Sequence, residues 1–206
     1  MAQGTQIAGL SREQIARLRS AVEGAYSAAA RHPRDKHPFP VGRVFAESVG
    51  YPRELLAELP SNSVEVFAGV SNVSVAASIP AGSAVLDLGC GAGLDSLIAA
   101  RRVGPGGRVV GIDFSPSMLG LARRAAATTR ERLGFVRADA ERLPLHHGSI
   151  DVALVNGIFN LNPAREEIFR ELARVVRPGG IVYAAELILT EPAERTGPIS
   201  DSDWFA

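Results

Sequence analysis

The chain has 206 residues, and its 22 lysines and arginines balance its 22 aspartates and glutamates, so the formal net charge is zero. A chain without net charge has no general attraction to nucleic acid or to an anionic membrane, and we expect neither as a partner. The single cysteine, Cys90, excludes an intrachain disulfide and a cysteine-based zinc site, and we expect no bound metal. The first residues carry no long apolar run, so we expect no signal peptide, no membrane span and a cytoplasmic location.

Residues 1–60 are predicted to form an N-terminal helical and lid segment. Apolar residues at helical spacing indicate a helix from Ser11, its N-cap, to about residue 30. Three prolines and several basic residues in 31–43 indicate a loop, which serves either as a lid or as a linker. Short helices are expected at 51–59, 61–68 and 73–78.

Residues 61–190 alternate between short apolar runs and helical patterns, which is typical of a parallel sheet with crossover helices. Strands are predicted at 84–88, 108–112, 134–137, 150–155 and 181–189. One helix is predicted at 94–102, and a second from Pro116, capped by Ser115, to about residue 128. A third helix is predicted to start at Asn162 and Pro163 and to end near residue 176, before a turn at 178–180.

The stretch AVLDLGCGAG, residues 84–93, predicts a buried strand that breaks into a tight turn. Gly89, Gly91 and Gly93 lack a Cβ, so the backbone there can adopt positive φ and approach a ligand closely. The helix that follows presents free N–H groups at its N-terminus. On its own this turn is a weak signal, because nicotinamide and flavin enzymes use a similar one to bind pyrophosphate.

Three carboxylates distinguish this turn from a pyrophosphate site. Asp87 lies two residues before the first glycine, where it would repel a phosphate but would suit an ammonium group. Asp113 lies 26 residues later, at the end of the second strand, where such folds bind a ribose. Phe114 and Met118 follow it and are placed to cover an adenine face, and Asp139, after the third strand, is placed to accept from the adenine amino group.

These residues resemble the class I methyltransferases that use S-adenosylmethionine. Five stretches match the motifs of that family in order: VLDLGCGAG, VVGID with FSPSML, FVRADAERLP, DVALVNGIFNL and LARVVRPGGIVYAAE. The resemblance covers about residues 60–190. It implies S-adenosylmethionine as cofactor, S-adenosylhomocysteine as product and in-line transfer of a methyl group to a small-molecule acceptor.

The resemblance also implies a role for individual residues. The three glycines of the turn are expected to lie against the methionine part of the cofactor, and Asp113 to bind its ribose. Met118 is expected to pack on the adenine, and Asp139 with the Ala140 backbone to bind the adenine edge. The fourth motif places Asn156 beside the reactive end. Candidate residues for positioning the acceptor are Asn156, Asn160, Glu186 and Tyr26.

Within the class, the chain resembles the arsenite and the ubiquinone and menaquinone methyltransferases. The phrases GVSN, NGIFNLNP and FRELARVVRPGG have counterparts in arsenite methyltransferases. Those enzymes hold arsenic through cysteines in the first two phrases, whereas here the phrases contain Ser71 and Gly157 and no cysteine. A soft metalloid needs soft ligands, so we do not expect arsenic methylation by the known route.

The resembled fold normally has seven strands. Only 17 residues follow Leu189, in a tail at 191–206 that carries Trp204 and Phe205, so we expect the sixth and seventh strands to be absent. The expected fold is therefore a Rossmann-like, doubly wound α/β sheet with strand order 3-2-1-4-5. An exposed fifth strand would allow a homodimer through the sheet edge. Two alternatives stay open: a catalytically silent cofactor-binding or scaffold protein, and a fragment of a longer methyltransferase.

Overall fold

The computed structural model describes residues 11–129 and 131–188, and these contain a five-stranded parallel sheet. The strands are β1 Ala84–Leu88, β2 Arg108–Asp113, β3 Leu133–Arg137, β4 Ile150–Asn156 and β5 Val176–Ala185. Their order is β3-β2-β1-β4-β5, and each neighbouring pair is parallel. The predicted fold class and strand order are confirmed. The predicted tail at 191–206, including Trp204 and Phe205, lies outside the described residues.

Helices flank this sheet, and five of the helices described precede its first strand in the chain. They are α1 Arg12–Arg31, α2 Arg43–Ser48, α3 Arg53–Ala57, α4 Ser61–Val64, α5 Val73–Ala76, α6 Leu94–Val103, α7 Pro116–Ala126 and α8 Arg165–Val175. The longest helix, α1, packs against α7. Within residues 11–129 and 131–188, no helix combines the length and the apolar character needed to cross a membrane. The division of the chain at residue 60 stays a prediction.

Two helices start where the sequence predicts. Ser11 caps α1 in a capping box: its hydroxyl accepts from the Gln14 N–H at 3.2 Å, and the Gln14 side chain accepts from the Ser11 N–H at 2.7 Å. Ser115 caps α7 by accepting from the Met118 N–H at 3.3 Å, directly before Pro116. These caps satisfy N–H groups that have no partner within the helix.

The predicted start of α8 is wrong. The helix begins at Arg165 with Ala164 as N-cap, not at Asn162 and Pro163. The reason is that the side-chain oxygen of Asn162 accepts from a backbone group only two residues ahead, the Ala164 N–H at 2.8 Å, which makes a local turn instead of a cap.

Two further elements differ from the prediction. Helix α2 is absent from the predicted elements, because it starts after Gly42, a glycine at φ 94° without a side-chain cap. Strand β5 starts at Val176 rather than at residue 181. Val176 pairs with Ile150 and the next pair is Ile181 with Val152, so residues 177–180 form a bulge inside the strand.

Alternate residues of the central strands face two different hydrophobic cores. Leu86 and Leu88 of β1 lie in a core with the buried face of α8, which includes Ile168. Val85 lies in a second core with residues of α5 and α6. All five residues of β1 are buried, as expected for a strand covered on both faces. Because both faces of the sheet are covered, we expect a ligand-binding site at the carboxyl ends of the strands.

Replacing Ile168 with alanine tests the core between α8 and the sheet. Ile168 is fully buried, so Ile168→Ala should lower the free energy of unfolding by about 2–5 kcal/mol. The control is Glu166→Ala on the same helix, where the side chain is 78% exposed and the loss should stay within about 0.5 kcal/mol. Urea unfolding measures both variants, and equal losses would contradict this view of the core.

Candidate functional site

A cavity of about 680 Å³ lies at the carboxyl ends of β1, β2 and β4. It is lined by most of the residues that the sequence predicts for cofactor binding: Asp87, Gly89, Gly91, Asp113, Phe114, Met118, Asp139, Ala140 and Asn156. Helix α1 contributes Tyr26 from the opposite side. The structure therefore brings together predicted residues from the ends of four strands and from a distant helix. Gly93, Asn160 and Glu186 do not line the cavity.

The glycines of the turn after β1 all have positive φ, but each meets different surroundings. A Cβ on Gly89, at φ 75°, would lie 2.3 Å from Cγ2 of Ile158. A Cβ on Gly91, at φ 51°, would meet nothing within 4 Å. A Cβ on Gly93, at φ 83°, would lie 2.9 Å from the Phe135 ring. Gly93 thus allows close packing of α6 on its neighbours, while Gly91 lies beside open space in the cavity.

Asp113 joins the glycine turn to the end of β2. Its Oδ2 accepts from the Gly91 N–H and its Oδ1 from the Ser115 N–H, both at 2.8 Å. Burial raises the pKa of this carboxyl, and the backbone N–H bonds oppose that rise. A carboxylate offers about four lone-pair sites, more than these two bonds occupy. Asp113 can therefore accept further hydrogen bonds from a ligand in the cavity.

Asp87 is a buried acid with a single hydrogen-bond partner in the described structure. The Ser96 hydroxyl donates to its Oδ2 at 2.5 Å, and the residue is 2% exposed. Burial, and then the nearby Asp95 carboxylate, raise the pKa of Asp87 to about 8. A positive ligand charge in the cavity would lower that pKa again.

Asp95 is a residue that the sequence analysis missed. It lies in the first turn of α6 and is 6% exposed. Its Oδ1 accepts from the hydroxyls of Tyr51, at 2.5 Å, and Ser74, and its Oδ2 accepts from Nδ2 of Asn156 at 2.9 Å. A carboxylate in a first helical turn is usually explained by the helix dipole, so its position alone gave no signal.

Asn156, predicted at the reactive end, lines the cavity, but its side chain is engaged by protein groups. Its Oδ1 accepts from the N–H groups of Val70, at 2.8 Å, and Ser71, at 3.1 Å. Its Nδ2 donates to the Ser71 carbonyl at 2.7 Å and to Asp95. Since both lone pairs and both N–H groups are used, the amide holds the segment 69–71 in place.

Asn160 and Glu186 hold the turn after β4 instead of facing the cavity. Oε2 of Glu186 accepts from the N–H groups of Phe159, at 2.7 Å, and Asn160, at 3.2 Å. Nδ2 of Asn160 donates to the Leu187 carbonyl at 2.5 Å. Their role in positioning the acceptor stays a prediction. Both side chains form hydrogen bonds with nearby backbone groups.

Helix α1 covers the cavity and brings Tyr26 to it. The Tyr26 ring stacks on Phe39 with 4.5 Å between the ring centroids. Burial, and then the carboxylate of Asp113, raise the pKa of Tyr26, so its hydroxyl stays protonated. At the edge of the cavity, Arg19 of α1 forms an ion pair with Glu141.

Comparisons with known proteins agree with this geometry. Residues 85–180 match a family model described as a methyltransferase domain. The chain is 34% identical over 148 residues to an arsenite methyltransferase of Halobacterium salinarum, and the match covers 71% of this chain and 38% of that protein. It is 34% identical to a demethylmenaquinone methyltransferase of Lactococcus lactis, over 51% of this chain and 42% of that protein. The chain thus spans less than half the length of these two relatives.

A solved structure shows the same likeness. It is an arsenic(III) S-adenosylmethionine methyltransferase from Chlamydomonas reinhardtii, with a TM-score of 0.60 and 30% sequence identity. The match covers 65% of this chain and 48% of that chain. The residues that the family model matches, 85–180, include Asp87, Asp113 and Asp139 of the cavity.

Replacing two glycines of the turn with alanine distinguishes the effect of a close contact from the effect of backbone strain. Gly89→Ala and Gly91→Ala both place a Cβ on a backbone with positive φ, at a cost of roughly 1–2 kcal/mol. Gly89→Ala must also displace Ile158, so its free energy of unfolding should fall further than that of Gly91→Ala. Urea unfolding of both variants measures the difference. Equal losses would contradict the close approach at Gly89.

The raised pKa of Asp87 predicts a pH dependence of stability. Between the ordinary pKa of 3.8 and about 8, the native carboxyl keeps its proton while the unfolded one has lost it. Folding then binds a proton, so stability falls as pH rises through this window, by up to about 1.4 kcal/mol per pH unit. Asp87→Asn should remove this contribution. Unfolding curves between pH 5 and pH 8 compare the two proteins, and parallel pH profiles would contradict the shift.

Proposed function

We propose that this chain, whose residues 85–180 form a class I methyltransferase domain of the type that uses S-adenosylmethionine, transfers a methyl group to a small-molecule acceptor by in-line displacement. The observation that carries the proposal is the acidic cavity at the carboxyl ends of the strands. Asp87, Asp95 and Asp113 line it, all three are buried, and none forms an ion pair with a lysine or arginine in the described part of the chain.

The residues of this cavity fit S-adenosylmethionine. Its sulfonium and ammonium charges complement the unpaired carboxylates, because buried charges need a partner of opposite sign. The free space beside Gly91 allows close approach to the turn. Asp113 has acceptor capacity left for ribose hydroxyls. The cavity lining also includes the residues predicted to contact the adenine, which supports the proposal: Phe114, Met118, Asp139 and Ala140.

The chain's own residues would position the reactants and exclude water. When bound, the cofactor supplies an activated methyl group on a sulfonium leaving group. Helix α1 covers the cavity, and positioning in such an enclosed site can lower a barrier by roughly 7–11 kcal/mol. The protonated Tyr26 hydroxyl acts as a hydrogen-bond donor to a ligand, not as a base.

In this proposal the acceptor is not arsenic bound by cysteine thiolates. Ser71 and Gly157 stand at the positions where the resembled enzymes have cysteines. Cys90 lines the cavity, but burial, and then the carboxylates of Asp113 and Asp87, raise the pKa of its thiol well above the ordinary value. A protonated thiol is a poor metalloid ligand, so a small organic acceptor is favoured.

A homodimer through the sheet edge and a cytoplasmic location belong to the same proposal. Within the described residues β5 pairs only with β4, and Ile181, Val182 and Ile188 next to that edge are 48%, 40% and 81% exposed. An edge of this kind favours pairing with another chain. The presence of a single cysteine, buried and unpaired, suits a reducing compartment.

Calorimetric titration with S-adenosylhomocysteine tests cofactor binding. We expect binding to the wild-type chain, and Asp113→Ala should weaken it by at least about tenfold, because charge-assisted hydrogen bonds to the ribose are lost. Asp35→Ala, in the exposed loop before α2, is the control and should bind as the wild type does. Absence of binding at millimolar concentration would overturn the proposal.

Turnover of labelled S-adenosylmethionine against a panel of small metabolites tests the transfer itself. Transfer to one of them supports the proposal and excludes a catalytically silent protein. Binding of S-adenosylhomocysteine without transfer to any panel member would support the silent cofactor-binding alternative instead.

A further inference from the structure

We propose that Asp95 is a positioning residue that fixes the orientation of the Asn156 amide and, through it, the segment 69–71, whose first residue, Gly69, lines the cavity. This inference rests on the proposed function for its meaning, since Gly69 and Asn156 line the cavity in which the transfer would take place. It concerns a residue outside the glycine turn, to which the sequence analysis gave no role.

The Asp95 carboxylate divides its two oxygens between two groups of donors. Oδ1 accepts from the hydroxyls of Tyr51 and Ser74, which belong to two segments before β1. Oδ2 accepts from Nδ2 of Asn156, at the end of β4. One buried side chain thus joins the start of α6, the N-terminal segments and the sheet.

The carboxylate allows only one orientation of the Asn156 amide. An amide presents an oxygen on one side and an NH₂ group on the other, and a carboxylate can only accept. The NH₂ group must therefore point toward Asp95, and the oxygen then points toward the N–H groups of Val70 and Ser71. The reverse orientation would place oxygen against oxygen and NH₂ against N–H.

The segment 69–71 depends on this amide for its position. In the described structure it lies outside every helix and strand, and no backbone–backbone hydrogen bond joins residues 69–71 to the rest of the chain. A Cβ on Gly69 would lie 2.6 Å from Nδ2 of Asn156, so the segment lies directly on the amide. A Cβ on Gly157 would lie 3.0 Å from Val70, in the same segment.

An exchange of polarity between the two residues tests the proposal. Asp95→Asn removes the group that can only accept, so either the oxygen or the NH₂ of the new amide can face the NH₂ of Asn156, because the hydroxyls of Tyr51 and Ser74 can donate or accept. Asn156→Asp sets two carboxylates against each other. The double variant Asp95→Asn/Asn156→Asp restores one donor facing one acceptor, and the carboxylate then present at position 156 still accepts from both N–H groups of the segment. The bond to the Ser71 carbonyl and the longer one to the Tyr51 hydroxyl are lost. Side-chain size and shape are nearly unchanged in all three variants.

Hydrogen exchange of the peptide 66–75 is the readout, with calorimetric titration of S-adenosylhomocysteine alongside. Asn156→Asp should raise the exchange rate of this peptide by at least about tenfold and Asp95→Asn by a smaller factor, and the double variant should bring it back to within about threefold of the wild type. Peptides of β2 and α8 should not change. Affinity for S-adenosylhomocysteine should fall in the single variants by less than in Asp113→Ala and recover in the double variant.

Asp151→Asn is the matched control, since Asp151 likewise joins separate segments by accepting hydrogen bonds, from the Ala84 N–H at 2.7 Å and from the Arg177 side chain, but at the opposite end of the sheet. It should leave the peptide 66–75 unchanged. A double variant no better protected, or no better folded, than Asn156→Asp alone would overturn the role of Asp95. Failure of the wild-type chain to bind S-adenosylhomocysteine would overturn the proposed function, while the exchange data would still decide the orientation of the amide.

Discussion

Two backbone N–H groups from different turns converge on the carboxylate of Asp113, and the geometry of the cavity depends on that convergence. Gly91 belongs to the turn after β1, and Ser115 is the N-cap of α7. Their shared acceptor keeps two adjacent crossover connections at a fixed separation. Parallel sheets place such connections at one edge, but the sheet alone does not determine how far the loops stand apart.

The buried acids at this edge of the sheet impose an energetic cost. Burying carboxylates without cationic partners disfavours their charged forms, as the raised pKa values of Asp87 and Asp113 show. Hydrogen bonds from Ser96 and from the backbone offset only part of this cost. The buried carboxylates therefore destabilise the fold without ligand, and a cationic ligand would remove this destabilisation. Ligand binding and fold stability are thus linked through the same carboxylates.

The sequence was sufficient for the sheet and for the acids at its edge, and insufficient for the hydrogen-bond network behind them. Strand periodicity and the caps at Ser11 and Ser115 are local signals, so they could be read from neighbouring residues. The hydrogen-bond partners of Asp95 lie 21, 44 and 61 residues away in the sequence, and no local sequence pattern predicts contacts over such separations. Asn156 was found through its motif, but its engagement with residues 70 and 71 depends on how the chain folds back.

The differences at the C-terminal side have the same origin. Asn160 and Glu186 are polar residues after strands, which is where site residues are expected, and in the structure they hydrogen-bond to the turn after β4. Residues 178–180 were predicted as a turn before the fifth strand, yet the pairing of Val176 with Ile150 makes them a bulge inside β5. Both cases required knowing which backbone groups lack a partner, which is a property of the assembled fold.

The bulge at 177–180 has a consequence for how the molecule behaves at high concentration. An edge strand invites indefinite addition of further strands when its hydrogen-bonding groups are regularly spaced over its whole length. Here Pro178 removes one N–H and Gly179, at φ 78°, turns the backbone out of register, so a continuous ladder is available only over residues 181–185. A ladder of that length spans about 17 Å, so the irregularity leaves only about half of the ten residues of β5 for regular pairing with a further strand.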